Sequence, residues 1–346
     1  MLANNSKQYT FCYADMTNLI KATSKFVARR YRTRKIYLSP KILTHKLENI
    51  PINNPIFILG VQGGGLTILM KCLQRLDNTC FCHGNQLSWD AADNEMHVCI
   101  KDKTLPSELS FWQNQHYPET LPSNFYRYWT YATNEAIGTF RLDENSVTEK
   151  MTTDFQKMIK KIIRVHAREI ETCRFIDKSQ LYMVCVSAIA KLLEEAKPYF
   201  IVVGRNPLGS VPRTARNYYL NPKKHGYQMD YLKAVRLCAE HWSNSYELAL
   251  KDGKKIENFK VMKIEDFFDN PKAFLKQFCE FANLEFCEDM LPNANQQPTI
   301  FQQMRSRWYP MRKSTTDGFR QSLNSEEKET ILELCGEQMR ALGYTY

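Results

Sequence analysis

The feature that most constrains this chain is a run of glycines set between an apolar stretch and a helical one. Ile56-Phe57-Ile58-Leu59 is followed by Gly60-Val61-Gln62-Gly63-Gly64-Gly65-Leu66-Thr67, and then by leucines at 69, 73 and 76. Four successive apolar residues bounded by turn formers suit a buried strand, and the leucine spacing suits a helix. Between a strand and a helix, glycines let backbone N–H groups curl round an anion, and the helix N-terminus adds its positive end. The spacing is that of G-x-x-x-x-G-K-[ST], with Leu66 in place of the lysine. Without that cation a γ-phosphate is unattended, which argues against ATP or GTP hydrolysis while leaving a phosphate cradle. The alternative is a turn that binds nothing, a role for which three adjoining glycines are entropically costly.

The rest of the chain continues the alternation. Strands are expected at 79–82, 173–176, 199–204 and 259–264, and helices at 155–170, 181–197, 232–250, 271–282 and 325–342. Ser325 is the expected cap of the last helix, with Glu326 and Glu327 in its first turn and Gly343 at its end. Strands alternating with helices predict an α/β three-layer sandwich around a mainly parallel sheet. Residues 84–150 are aromatic and irregular (Trp89, Trp112, Tyr117, Tyr126, Trp129) and read as a substrate-side insertion. Residues 1–50 read as a helical basic appendage. It carries Arg29, Arg30, Arg32, Arg34 and Lys35 around Tyr31, closes at the turn Pro51–Pro55, and leaves 51–346 as the main domain.

Composition narrows the partners. The 346 residues are 43% hydrophobic and 24% charged, values of a globular protein. Lys and Arg number 47 against 37 Asp and Glu, a net charge of +10, which suits an anionic partner or simply a basic soluble protein. No apolar run is long enough to span a membrane, and the polar N-terminus lacks the apolar region of a signal peptide, so the cytoplasm is the expected location. The 11 cysteines read as reduced thiols. Cys80 and Cys82 form a C-x-C without the second pair that zinc needs, and no paired carboxylates suggest another metal.

Five segments, in order, resemble the PAPS-dependent sulfotransferases (PAPS is 3′-phosphoadenosine 5′-phosphosulfate), especially the branch acting on sugars, lipids and peptides. The family's hxhGxPRSGTThL is similar to PIFILGVQGGGLTIL here, and its Lys-Pro segment to Asp177-Lys178-Ser179. Its strand and turn "fI.l.RdPr" resembles Phe200–Pro207, and its "v.yEdl..dP" stretch resembles Val261–Pro271, running on to Leu284. Its ending resembles Gly318-Phe319-Arg320 and Leu342-Gly343-Tyr344. The resemblance covers roughly residues 55–346 and implies a P-loop NTPase-like fold. Three positions depart from it. Gly63 stands where the family usually has Arg or Lys on the sulfonate, Arg213 where many members have Ser on the 3′-phosphate, and Asn206 where Asp is usual.

The resemblance implies transfer of a sulfonate from PAPS to a hydroxyl of a carbohydrate, lipid or other small acceptor, with PAP as product and no metal. Gly60, Gln62, Gly63, Gly64, Gly65, Leu66 and Thr67 would hold the 5′-phosphosulfate, and Arg205 the 3′-phosphate, with Arg213 and Arg216 one turn apart beyond it. Lys178 would be the main cation on the transferring group. Counted without gaps from the loop, the base falls on or beside His83, with Asp90, Asp93 and Glu95 in reserve. Trp308, Arg312, Lys313 and Gly318 lie in the segment that would fold over the adenine and 3′-phosphate. No nucleic-acid partner is expected, and peripheral membrane contact stays open. The alternatives are a degenerate PAP(S)-binding relative, a P-loop kinase acting on a nucleotide or metabolite, and an RNA- or membrane-binding protein using residues 29–35.

Overall fold

The computed structural model describes residues 38–82, 95–96, 106–109, 131–219, 229–292 and 323–345. Five strands form one sheet: β1 (Ile56–Leu59), β2 (Thr79–Phe81), β3 (Arg174–Asp177), β4 (Tyr199–Gly204) and β5 (Phe259–Lys263), in the order β2-β3-β1-β4-β5. Every pairing is parallel. The helices are α1 (Leu66–Leu73), α2 (Glu149–His166), α3 (Val186–Leu192), α4 (Pro207–Tyr219), α5 (Tyr231–Gly253), α6 (Ile264–Asp269), α7 (Pro271–Ala282) and α8 (Ser325–Ala341), besides two single-turn helices. Among the described residues no helix is long and apolar enough to cross a membrane.

The strands are apolar on both faces because both are covered. Phe57, Leu59, Phe175, Phe200 and Val202 point into one core, shared with α2, α3, α4, α5 and α8. Ile56, Ile58, Ile176, Ile201 and Val203 point into a second, shared with α1, α6 and α7. Alternate residues of one strand thus serve opposite layers, the period-two rule of a strand. Phe57 stacks on Phe200 at 5.4 Å across the β1–β4 pair and is fully buried. Burying such a ring stabilises the fold by about 2–3 kcal/mol.

Local chemistry sets the helix ends. Thr148 accepts the Met151 N–H, so α2 starts at Glu149, earlier than its apolar pattern suggests. The final helix is capped by Asn324, whose side chain accepts the Glu327 N–H while Glu327 reaches back to the Asn324 N–H. The expected cap, Ser325, is instead the first helical residue; the reciprocal box needs its acid three residues after the cap. The expected helix 181–197 is broken into a 3₁₀ turn (Gln180–Val184), α3 and a second 3₁₀ turn (Glu194–Ala196). Leu181, Tyr182, Met183, Val184, Cys185 and Val186 are all buried, which one straight amphipathic helix does not allow.

Topology decides what meets at the carboxyl edge. β3, β1 and β4 are neighbours, so the residues following them lie side by side. Leu59 pairs with Val202 and Phe57 with Asp177. The glycine loop, Lys178 and Arg205 therefore share one rim, the place where open α/β sheets bind ligands.

Candidate active site

The loop begins as β1 ends. Gly63 and Gly65 adopt left-handed backbone, with φ of 78° and 83°, which glycine takes without strain. A Cβ on Gly65 would lie 2.7 Å from Ile264, one on Gly64 2.8 Å from the Val61 carbonyl, and one on Gly60 2.9 Å from the Val203 carbonyl. Close packing therefore already accounts for glycine at 60, 64 and 65. Gly63 differs: the nearest atom to a Cβ there is Thr214 Oγ1 at 3.5 Å, so its absent side chain leaves space. The Gly64 N–H donates within the loop, to the Val61 carbonyl at 3.0 Å. Gly65 is the N-cap of α1 and has no side chain to satisfy the first-turn N–H groups of Leu66 and Thr67, which helix geometry leaves without intrahelical partners. Those amides and the positive end of α1 are what the loop presents to an anion.

Arg205 follows β4 and is 3% exposed. Its guanidinium donates to the Gly63 carbonyl, tying β4 to the loop across the rim. Burial holds its pKa down, and the Arg213 charge adds to this, while Glu265 opposes. The backbone on either side of Arg205 is pinned. The Trp242 indole N–H donates to the Arg205 carbonyl at 3.0 Å, and the Asn206 N–H donates to Glu265 at 2.9 Å. The other oxygen of Glu265 accepts the Tyr344 hydroxyl at 2.9 Å. The Asn206 side chain accepts the Leu208 N–H at 3.0 Å and caps α4. Arg213 is exposed on α4 and Arg216 is half-buried; Thr214 is the α4 residue nearest Gly63.

Lys178 follows β3 and is 1% exposed, paired with Glu95 at 2.5 Å. Beside it, the fully buried Asp177 accepts the N–H groups of Met96 at 2.8 Å and Ser179 at 2.7 Å. Burial pushes the Asp177 carboxyl up to about 6, more than its hydrogen bonds hold it down. Residues 95–96 are thus fastened to the end of β3 by an ion pair and a hydrogen bond. Glu95, a reserve in the sequence reading, is the carboxylate placed on Lys178. His83, Asp90, Asp93, Trp308, Arg312, Lys313, Gly318 and the 29–35 cluster lie outside the described residues.

Three residues receive no site role from the sequence. Glu265 and Tyr344 lie in segments that carry the resemblance, and they brace Arg205 from distant parts of the chain. His241 on α5 reaches the loop side of the rim, where it lines a cleft with Val61, Gln62, Ser210, Thr214 and Trp242. Only the fold brings them there; within α5, His241 has nothing to set it apart from a core residue.

A family profile described as the sulfotransferase family matches residues 55–289, more than half of the chain. Among solved structures, the chain is similar to the sulfotransferase STF9 from Mycobacterium avium, with a TM-score of 0.56 and 11% identity over 90% of this chain and 82% of that one. It is also similar to the sulfotransferase domain from the curacin biosynthetic pathway, with a TM-score of 0.47 and 17% identity over 85% of this chain and 99% of that one. A third is a mouse sulfotransferase complexed with PAP, with a TM-score of 0.45 and 12% identity over 87% of this chain and 90% of that one. No curated protein matches the sequence.

Proposed function

The chain belongs to the sulfotransferase family, and from that premise we propose that it moves a sulfonate from PAPS to a hydroxyl of a carbohydrate, lipid or other small acceptor. The observation that carries this reading is the convergence of the glycine loop, Arg205 and Lys178 on adjacent strand ends β1, β4 and β3. The residues present fit a phosphosulfate donor. Gly63 leaves open space over the loop, the first turn of α1 offers N–H groups, and a buried guanidinium lies within hydrogen-bonding reach of the loop. PAPS supplies an activated sulfonate whose S–O bond to phosphate breaks as the acceptor oxygen attacks, the electron pair leaving with PAP.

The chain's own residues have four tasks. The loop amides and Thr67 hold the 5′ end. Arg205, kept rigid by Trp242 and Glu265, grips the 3′-phosphate through a planar fork. Lys178 turns its ammonium to the sulfonate and to the oxygen that gains charge, making good the cation absent at Gly63. The acceptor proton goes to a base, His83 or Glu95. The contact between Glu95 and Lys178 favours Glu95, because a carboxylate released as Lys178 engages the donor is then beside the reacting hydroxyl. A cytoplasmic location is part of the same proposal.

The test is titration calorimetry with PAP and with ATP-Mg. PAP is expected to bind with micromolar affinity and without magnesium, and ATP at least about tenfold more weakly, a difference of about 1.4 kcal/mol. A preference for ATP-Mg sinks the reading in favour of a kinase. Binding of PAP without PAPS turnover over a broad acceptor panel leaves only a binding relative.

A further inference from the structure

The segment that follows α8 turns back onto the sheet beside Arg205. Gly343 is left-handed, with φ of 71°. The Tyr344 N–H donates to the Met339 carbonyl at 2.8 Å and the Gly343 N–H to the Arg340 carbonyl at 2.9 Å, the paired bonds of a Schellman turn. The turn lays Leu342 and Tyr344 over the last residue of β4: a Cβ on Gly204 would lie 3.2 Å from the Tyr344 hydroxyl and 3.7 Å from Leu342. Gly204 pairs with Lys263 across β4 and β5. The Lys263 ammonium donates to the Gly343 carbonyl at 2.6 Å and lies 5.0 Å from the Tyr344 ring centre, a cation–π contact.

Packing alone does not use the oxygen of this tyrosine. Tyr344 is 8% exposed, and its hydroxyl donates to one oxygen of Glu265, in the first turn of α6. Burial, with the Glu265 charge added, pushes its pKa well up, so the hydroxyl keeps its proton and remains a donor. The other oxygen of Glu265 accepts the N–H of the peptide bond that joins Arg205 to Asn206. The carbonyl of that same peptide accepts the Trp242 N–H. Both polar atoms of one rigid plane are thus engaged, and the backbone from which the Arg205 side chain departs is fixed. A carboxylate held through both oxygens loses the rotation that a single bond would leave it. Ile264, the residue before Glu265, lies against the loop at Gly65, so the same turn of α6 touches both the loop and the end of β4.

We propose that Tyr344 is a positioning residue for the donor: through Glu265 it holds the Arg205–Asn206 peptide, and so sets how strongly the protein prefers a nucleotide that bears a 3′-phosphate. The inference rests on the sulfotransferase reading above and deepens it. A planar charged fork binds a phosphate best when its position is set before the ligand arrives, because no binding energy then goes into ordering it. Tyr344 touches no ligand in this account. Its hydroxyl acts through two hydrogen bonds and one peptide plane, and the segment after α8 becomes part of the donor site without lining it.

The probes are PAP and adenosine 5′-monophosphate, which differ only in the 3′-phosphate. Each is titrated into the wild type, Tyr344→Phe, Arg205→Ala and the double variant, with ligand-observed NMR for the weak cases. Tyr344→Phe removes one oxygen and keeps the ring against Gly204, so a folded protein is what is titrated. It should weaken PAP roughly 3–10-fold and change the monophosphate by less than about twofold. On the Arg205→Ala background the same substitution should cost PAP less than about twofold, because the residue it acts through is gone. Unchanged PAP affinity in Tyr344→Phe overturns the proposal. So does an equal loss for both nucleotides, which would make the segment a clasp for the whole fold, or a loss of PAP that persists without Arg205. A silent Tyr344→Phe in a protein that binds PAP leaves the sulfotransferase reading standing, whereas failure of the wild type to bind PAP takes that reading down with the proposal.

Discussion

Two buried arginines stand at opposite edges of the same sheet, and they are held very differently. Arg174 opens β3 at the amino edge and is 7% exposed. It donates to the carbonyls of Asn54 at 2.6 Å, Ala282 at 3.0 Å and Asn283 at 3.2 Å, and lies 5.3 Å from the Tyr199 ring centre. Two of those carbonyls end α7, where the helix dipole is negative. Arg205 follows β4 at the carboxyl edge, donating to the Gly63 carbonyl of the loop and feeling the like charge of Arg213. Burial lowers the pKa of both. At the amino edge a cation serves as a clamp between chain segments. The carboxyl edge gathers a cation near a loop, a buried lysine pair, a carboxyl raised to about 6 and a neutral imidazole. Perturbed groups collected at one end of a sheet mark a functional edge.

The sharpest way to break this contrast is Lys178→Ala. If Lys178 serves charge that develops as the S–O bond breaks, turnover should fall about 10²–10³-fold with PAP affinity little changed. Single-turnover assays with PAPS check this, and retention of more than about half of the activity removes Lys178 from the mechanism. Arg205→Ala comes next. PAP binding should weaken by roughly 2–4 kcal/mol, while adenosine 5′-phosphosulfate, which lacks the 3′-phosphate, should bind both proteins alike. Equal losses for the two ligands would make Arg205 a structural clamp like Arg174.

Arg174→Ala should do the reverse. Unfolding free energy should drop by about 2–3 kcal/mol in denaturant titrations, because three carbonyls lose a charged donor, while PAP binding to the folded protein is unchanged. The smallest expected effect is in the pH dependence of stability. Asp177 has a folded pKa raised to about 6, so its contribution is fully present below the unfolded value and is lost as pH rises through about 6. His241 has a folded pKa lowered to about 3, so its contribution is present above the unfolded value and is lost as pH falls towards 3. Between pH 4 and 6 the two slopes oppose each other at about 1.4 kcal/mol per pH unit each. Asp177→Asn should therefore make stability rise more steeply with pH than in the wild type, and His241→Phe should make it rise less steeply. Identical slopes in all three proteins would show that neither group is as buried in solution as the structure has it.

Much of the fold could be read locally. The bounds of β1, β4 and α7 agree with the apolar run, with YFIVVG and with Pro271 as a helix start, because strand burial and helix entry are written in adjacent residues. The helix expected at 181–197 fails for the opposite reason: burial on all sides is a property of what surrounds a segment, and it overrides local propensity. The cap moved from Ser325 to Asn324 because both can accept, and only the reach of Glu327 decides between them.

By itself, the sequence determined the loop, the cation missing at Gly63 and Leu66, and the arginine and lysine following two apolar strands. Each is a short-range pattern, with strand, turn and charged residue within a dozen positions. Tertiary structure alone decided that β3 and β4 flank β1, and hence that Lys178 and Arg205 stand on either side of the loop. It alone placed Glu95 on Lys178 across 83 residues, and Glu265 and Tyr344 behind Arg205. It also stripped His241 of its water, so that a backbone N–H on Nδ1 fixes which nitrogen carries the proton. The physical reason is that charge, tautomer and affinity depend on desolvation and on partners, and a chain acquires both only when distant segments pack together.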